Sequence, residues 1–222
     1  AGYKKDTHVF KSFREIYLDR IDRLPGREIN RGQVGSLNYG PVIDASVTDF
    51  SPGVLQHTGG MLDLALQGRG FFTMETPYGL GYSRNGAFHL DDGGFLVSGE
   101  GDYVLGYGGR IQLDQSNYTI AADGTILVEG EPVERLLLAD FPDWERLEKT
   151  GQGLFQAPED LSPRPAEEVF VKQGYLEQAN VDVVKEITDL ITTMRIYEMN
   201  QKAIQAQDEI LGKSVNEVGS IR

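Results

Sequence analysis

From Asn180 to about Val218 the apolar residues keep to one helical seam. Counted from Ile187, the positions Leu190, Met194, Tyr197, Ile204, Leu211, Val215 and Val218 fall on alternating three- and four-residue steps, interrupted only by Gln201 and Asp208. Such spacing predicts a helix that buries a narrow stripe against another helix, and no Pro or Gly breaks it before Gly212. Asn180 reads as its N-cap, with Asp182 and Glu186 near the positive end of the helix dipole. At 1.5 Å per residue the rod is ~57 Å long, so the seam needs a partner of similar length. A shorter helix is predicted over Asp6–Leu24, where Phe10, Phe13, Tyr17, Ile21 and Leu24 recur at helical spacing and Pro25-Gly26 stops it. It covers only part of the seam. Either the long helix packs across its own domain, or part of the seam belongs to another chain or to a segment outside this sequence. The opening Ala1-Gly2-Tyr3-Lys4-Lys5, with no Met, favours the outside segment.

Between the two helical patterns the grammar changes. Arg27 to Gly60 is rich in Gly, Asn, Ser and Pro and reads as extended, loop-rich connection with at most short strands. From Leu62 apolar runs of strand length alternate with turn residues. These runs are Leu62–Leu66, Phe71–Met74, Tyr82-Ser83, Ala87–Leu90, Phe95–Val97, Tyr103–Leu105 and Ile111–Leu113. Asp91-Asp92-Gly93-Gly94 and Asp123-Gly124 are hairpin-turn chemistry and open two similar stretches, read as two hairpins. Val133 to Phe141 holds Leu136-Leu137-Leu138-Ala139, a strand buried on both faces that Pro142 ends. Asp143 to Pro165 reads as a surface loop anchored by Trp144 and Phe155, and Val169 to Leu176 as the last strand. The expected architecture is mainly β with terminal α: a compact antiparallel β domain, sandwich or barrel-like and irregular, plus a long C-terminal amphipathic helix and a shorter N-terminal one. Residues 1–25 form the N-terminal helical segment, 26–176 the β-rich domain and 177–222 the coiled-coil-type helix.

Charge narrows the function. Of the net −13, residues 1–35 carry +3 and the remainder −16. An acidic body of this kind lacks the basic face that nucleic-acid phosphates require, and suits subunits that meet through complementary patches. No apolar run approaches the roughly twenty residues of a membrane span. The chain has no Cys, which excludes disulfides, Cys-ligated zinc and thiol chemistry together.

Catalytic constellations are mostly missing. His8, His57 and His89 are scattered without ligand spacing, and no phosphate-binding loop, dinucleotide fingerprint or nucleophile elbow occurs, so neither metal nor cofactor is expected. Asp63, Asp91, Asp92 and Asp114 are the carboxylates that a glycoside hydrolase would need, but Asp91-Asp92 sits in a turn and Asp63 in a strand or bonded to nearby backbone.

Three runs share one resemblance. Phe50 to Phe72, FSPGVLQHTGGMLDLALQGRGFF, resembles the core signature of the bacterial flagellar rod and hook family. Tyr82 to Gly106 resembles the hairpin that follows it there, with Tyr-x-Arg-x-Gly-x-Phe and a final Val-Leu-Gly. Gly174 to Lys213 is similar to the C-terminal signature, with Gly-x-Leu-Glu, Asn-Val-Asp, Arg-x-Tyr-Glu-x-Asn and Lys-x-Ile. Ala1 to Lys5 resembles the end of the N-terminal signature. Gly60-Met61 stands where that family usually carries Asn-Pro, and Ala179 where Ser is common.

The resemblance implies a structural axial subunit of the flagellar basal-body rod, with no catalytic function, stacking head-to-tail into a helical tube that transmits torque from motor to hook. It further implies an upstream helix that pairs with the one starting at Asn180, and a chain exported through the flagellar type III apparatus without a cleaved leader. The modest length resembles rod more than hook subunits. Partners are then copies of the chain and neighbouring rod or hook proteins. Ile187, Leu190, Met194, Tyr197, Ile204, Leu211 and Val215 form the pairing stripe, and Arg195, Glu198, Asn200 and Lys202 lie mainly off it as polar contacts between subunits. A secreted carbohydrate-binding module, stacking a glycan on Tyr78, Tyr103, Tyr107 and Trp144, is the alternative from another class.

Overall fold

The computed structural model describes residues 1–12, 16–22, 30–37, 41–113 and 118–219, which form two compact units, Ala1–Asn180 and Val181–Arg222. Within the first unit the chain begins with two antiparallel ladders. Strand β1 (Lys5–Ser12) pairs with β4 (Pro41–Asp49), and β2 (Ile16–Asp22) with β3 (Asn30–Leu37). Each ladder shifts register once, between Val9 and Phe10 in the first and between Leu18 and Asp19 in the second. This corrects two expectations. The N-terminal helix is replaced by strands at Lys5–Ser12 and Ile16–Asp22, and Arg27–Gly60 holds two long strands; Phe13, Leu24, Pro25 and Gly26 lie outside the described residues. The physical reason is shared. Val, Thr, Phe, Tyr and Ile suit a pleated surface better than a helix, and Asn30–Leu37 and Pro41–Asp49 each supply a strand to bond with.

The next strands build the body. Leu55–His57 (β5) precedes Leu64–Gly68 (β6), Phe71–Thr76 (β7) and Gly79–Ser83 (β8), followed by Phe88–Leu90 (β9), Leu96–Ser98 (β10), Tyr103–Gly106 (β11) and Gly109–Arg110 (β12). Tyr118–Ile120 (β13), Thr125–Val128 (β14) and Glu131–Arg135 (β15) make a separate three-stranded sheet, and Leu138–Asp140 (β16) returns to the main one. After a single 3-10 turn at Trp144–Arg146 come Glu148–Gly151 (β17), Leu154–Gln156 (β18), Arg164–Pro165 (β19), Val169–Gln173 (β20) and Tyr175–Glu177 (β21). The stretch Asp143–Pro165 is therefore more regular than the surface loop expected: Glu148 and Lys149 pair with Gln156 and Phe155, and β18 continues the sheet beside β8. Ile111–Leu113, expected as a strand, holds only an isolated bridge from Gln112 to Phe95.

Strand β7 organises the main sheet. It pairs with β8 along one edge and with β11 and β16 along the other, all antiparallel. Its first four residues, Phe71-Phe72-Thr73-Met74, are all buried, and period-two alternation sends them to opposite faces. Phe72 and Met74 join Leu64, Leu96, Val104, Ile126 and Leu136 in one core, whereas Phe71 joins Tyr82, Phe141, Leu147 and Phe155 in a second, with Phe50 and Trp144 against it. Trp144 stands 4.9 Å from Phe71 and 5.5 Å from Phe50, edge to face, as the expected aromatic anchor.

Gly86 shows how tightly the layers meet. A Cβ there would lie 1.7 Å from the Leu64 carbonyl oxygen, while Leu64 N–H donates to the Gly86 carbonyl at 2.9 Å. Gly86→Ala must push these two backbones apart, so we expect a loss of about 3 kcal/mol, read as a lower chemical-denaturation midpoint with an unchanged slope.

The second unit is α1 (Val183–Gly219), a 37-residue helix, ~55 Å long at the standard rise. Among the described residues no helix is long and apolar enough to cross a membrane.

Candidate assembly site

Helix α1 is capped by Asp182, not by Asn180 as expected. The Asp182 carboxylate accepts from the N–H groups of Val184 at 3.0 Å and Lys185 at 3.1 Å, filling two of the free donors of the first turn. Asn180 is occupied elsewhere: its side-chain oxygen accepts from Lys5 N–H at 2.8 Å, and its amide donates to the Asp49 carbonyl at 2.7 Å. Two side chains of similar capping strength stood two residues apart, and the sequence alone could not show which one the β body would engage.

The predicted stripe is open to solvent along its length. Ile187, Leu190, Met194, Tyr197, Ile204, Leu211 and Val215 are 52–70% exposed. Gln201, one of the two interruptions, donates from its amide to the Tyr197 hydroxyl at 3.0 Å. Arg195, Glu198, Asn200 and Lys202 are exposed as well. A feature missed in the sequence is a second apolar run, Ile196, Met199 and Ile210, also exposed; with Ala203 and Ala206 it repeats the three-and-four step on the opposite side of the helix.

Just upstream in the chain lies a buried ion cluster that sequence reasoning also missed. Lys4 and Glu177 are 0% and 1% exposed, and Lys4 Nζ donates to Glu177 Oε1 at 2.6 Å. Glu177 Oε1 also accepts from Gly53 N–H at 2.8 Å, and Arg84 Nη1 stands 3.7 Å from Oε2. Arg84 donates to the Leu66 and Gly68 carbonyls. Burial pushes the pKa of both the Lys4 ammonium and the Arg84 guanidinium down, and Glu177 opposes that shift in each. Gly2 N–H donates to the Glu177 carbonyl at 2.7 Å, so the first residues of the chain run beside the segment that leads into the helix. The signal was present as lone charges among strand residues, Arg84 in Tyr82-Ser83-Arg84 and Glu177 in Tyr175-Leu176-Glu177.

The other candidates are not brought together. Asp91 accepts from Gly93 and Phe95 N–H groups and serves its turn, Asp63 accepts from the Thr58 hydroxyl, and Asp114 lies outside the described residues. Among the described residues no group of three or more His, Asp or Glu is placed to hold a metal. Tyr103 packs on Phe95 and Arg110, Trp144 on the second core, and Tyr78 and Tyr107 line different hollows, so they make no common platform for a glycan.

Comparison with known proteins identifies the family. Residues 172–217 match the family described as flagellar basal body rod FlgEFG protein C-terminal, and residues 65–128 the flagellar hook protein FlgE/F/G D1 domain. The flagellar basal-body rod protein FlgG of Bacillus subtilis (strain 168) is 33% identical over 235 residues, 95% of this chain and 88% of that protein. FlgG of Agrobacterium fabrum is 39% identical over 226 residues, 95% of this chain and 85% of its own length. FlgF of Caulobacter vibrioides is 34% identical over 184 residues, 81% and 75% of the two chains. With relatives 33–39% identical over nearly the whole of its length, the chain belongs to the flagellar basal-body rod protein family, as a structural rod subunit of the bacterial flagellum and not an enzyme.

Proposed function

We propose that the chain assembles with copies of itself and with neighbouring rod or hook proteins, head-to-tail, into a helical tube that carries torque from the motor to the hook. The β body forms the wall of that tube and helix α1 its inner layer, built after export through the flagellar type III apparatus. The observation that carries this reading is the exposed seam. Seven large apolar side chains in one stripe are unfavourable in water, and contacts that repeat without closing bury such a stripe in every copy. The second run through Ile196, Met199 and Ile210 supports neighbours on both sides of α1. Arg195, Glu198, Asn200 and Lys202 set the register between those neighbours.

The absence of Cys makes a direct test available. Met194→Cys in the purified chain is expected to react with a maleimide at the rate of a free thiol, and to be protected at least tenfold in isolated basal bodies. Equal reactivity in both would refute a buried seam.

A further inference from the structure

Asn180 stands next to a helix that it does not cap. With Asp182 filling the first turn of α1, the Asn180 side chain bonds two segments of the β body far away in sequence. Its oxygen accepts from Lys5 N–H at 2.8 Å, and its amide donates to the Asp49 carbonyl at 2.7 Å and to Ser51 Oγ at 3.2 Å. Its own N–H donates to the Tyr3 carbonyl at 3.4 Å. Lys5 opens β1 and Asp49 closes β4, and the two face each other at the end of a ladder of eight paired positions. One side chain therefore ties the last residue of the body to both strands of that ladder.

A pull on α1 reaches the β body at residue 180, because only Val181 and Asp182 precede the first helical residue. Strand β21 alone would resist it with its three pairs to β5. The lifetime of such an attachment is set by how many bonds must break before the chain comes free, so the bonds of Asn180 add directly to it. A second tie lies close by. Glu177 accepts from Lys4 Nζ, which also donates to the Ser51 carbonyl at 2.9 Å, and burial keeps water from competing for the pair. Lys149 of β17 donates to the Lys4 carbonyl at 2.8 Å and to Asp6 Oδ2 at 3.0 Å, which extends the connection into the main sheet. We infer that Asn180 is the anchor through which force on α1 enters the β body, with the Lys4–Glu177 pair as its buried second tie. The inference rests on the torque reading above and deepens it, by naming the side chains that pass the load from helix to wall. Chemistry selects asparagine here: one short side chain accepts from Lys5 N–H and donates to two oxygens at once, whereas an ionised aspartate only accepts.

Force spectroscopy on the purified chain tests it. Handles attach through Tyr78→Cys and Lys202→Cys, uniquely since the chain has no Cys, and Tyr78 suits because β8, which follows it, is held between β7 and β18. At constant force Asn180→Ala should release residues 175–180, a step of roughly 20 Å, about tenfold faster than the parent. Asn180→Asp, which loses the donor, should release faster than the parent as well. Ile126→Ala, which opens a cavity in the core at β14, should lower the chemical-denaturation midpoint and leave the release rate unaltered. A release rate unchanged by Asn180→Ala, or raised as much by Ile126→Ala, overturns the assignment. In cells, Asn180→Ala should still assemble rods and swim in dilute medium, but stall in a viscous one. Faster release with normal swimming in viscous medium would instead overturn the torque reading and leave the anchor standing.

Discussion

Glu177→Ala is expected to destabilise the β body by about 3–5 kcal/mol, the usual consequence of stripping one partner from a buried ion pair. The carboxylate faces both Lys4 and Arg84, and it also accepts from Gly53 N–H. Its removal leaves two buried cations facing each other and one backbone donor unpaired. For a chain of this size each kcal/mol corresponds to ~2–4 °C, so the thermal midpoint should fall by roughly 6–20 °C. Lys4→Met should cost less. It removes the cation that burial already disfavours, keeps Arg84 near Glu177, and leaves Gly53 N–H its acceptor. Denaturation midpoints in the order native, Lys4→Met, Glu177→Ala are therefore expected; a Glu177→Ala variant as stable as the parent would show that the cluster contributes nothing net.

How far these features were legible in the sequence depends on the kind of information each needs. Helix α1 was legible because a repeat sustained from Ile187 to Val215 is a local property, independent of what the rest of the chain does. Strands such as Phe71–Thr76 were legible because their apolar runs end at glycine-rich turns. The first fifty residues were not. Phe10, Tyr17 and Ile21 satisfy a helical step, and only the partner strands Asn30–Leu37 and Pro41–Asp49 decide for β. The cap shifted for a related reason, since Asn180 is drawn to Lys5 and Asp49, far away in sequence. The ion cluster depends wholly on such distance: Lys4, Arg84 and Glu177 meet only after the body closes, and each alone looks like an ordinary surface charge.

Leu190→Asp and Leu211→Asp are each expected to abolish rod assembly, with loss of motility, while the β body keeps its native thermal midpoint. The argument is one of magnitude. Burying a leucine contributes roughly 1.5–3 kcal/mol, and that contribution is lost. In its place a carboxylate would have to leave water without a partner, at a cost of several kcal/mol more. Together, about 5 kcal/mol per contact weakens association by more than a thousandfold, and the deficit recurs at every subunit added. Both leucines are over 60% exposed in the single chain, so nothing in the isolated fold depends on them. The opposite change should act in the opposite direction. Asp208 interrupts the seam between Ile204 and Leu211, and Asp208→Leu would make the stripe continuous there, raising the tendency to associate in sedimentation experiments. That pair of signs separates a true seam from a helix whose exposed residues merely tolerate change: if Leu190→Asp leaves motility normal and Asp208→Leu leaves association unaltered, α1 joins the rod through some other face.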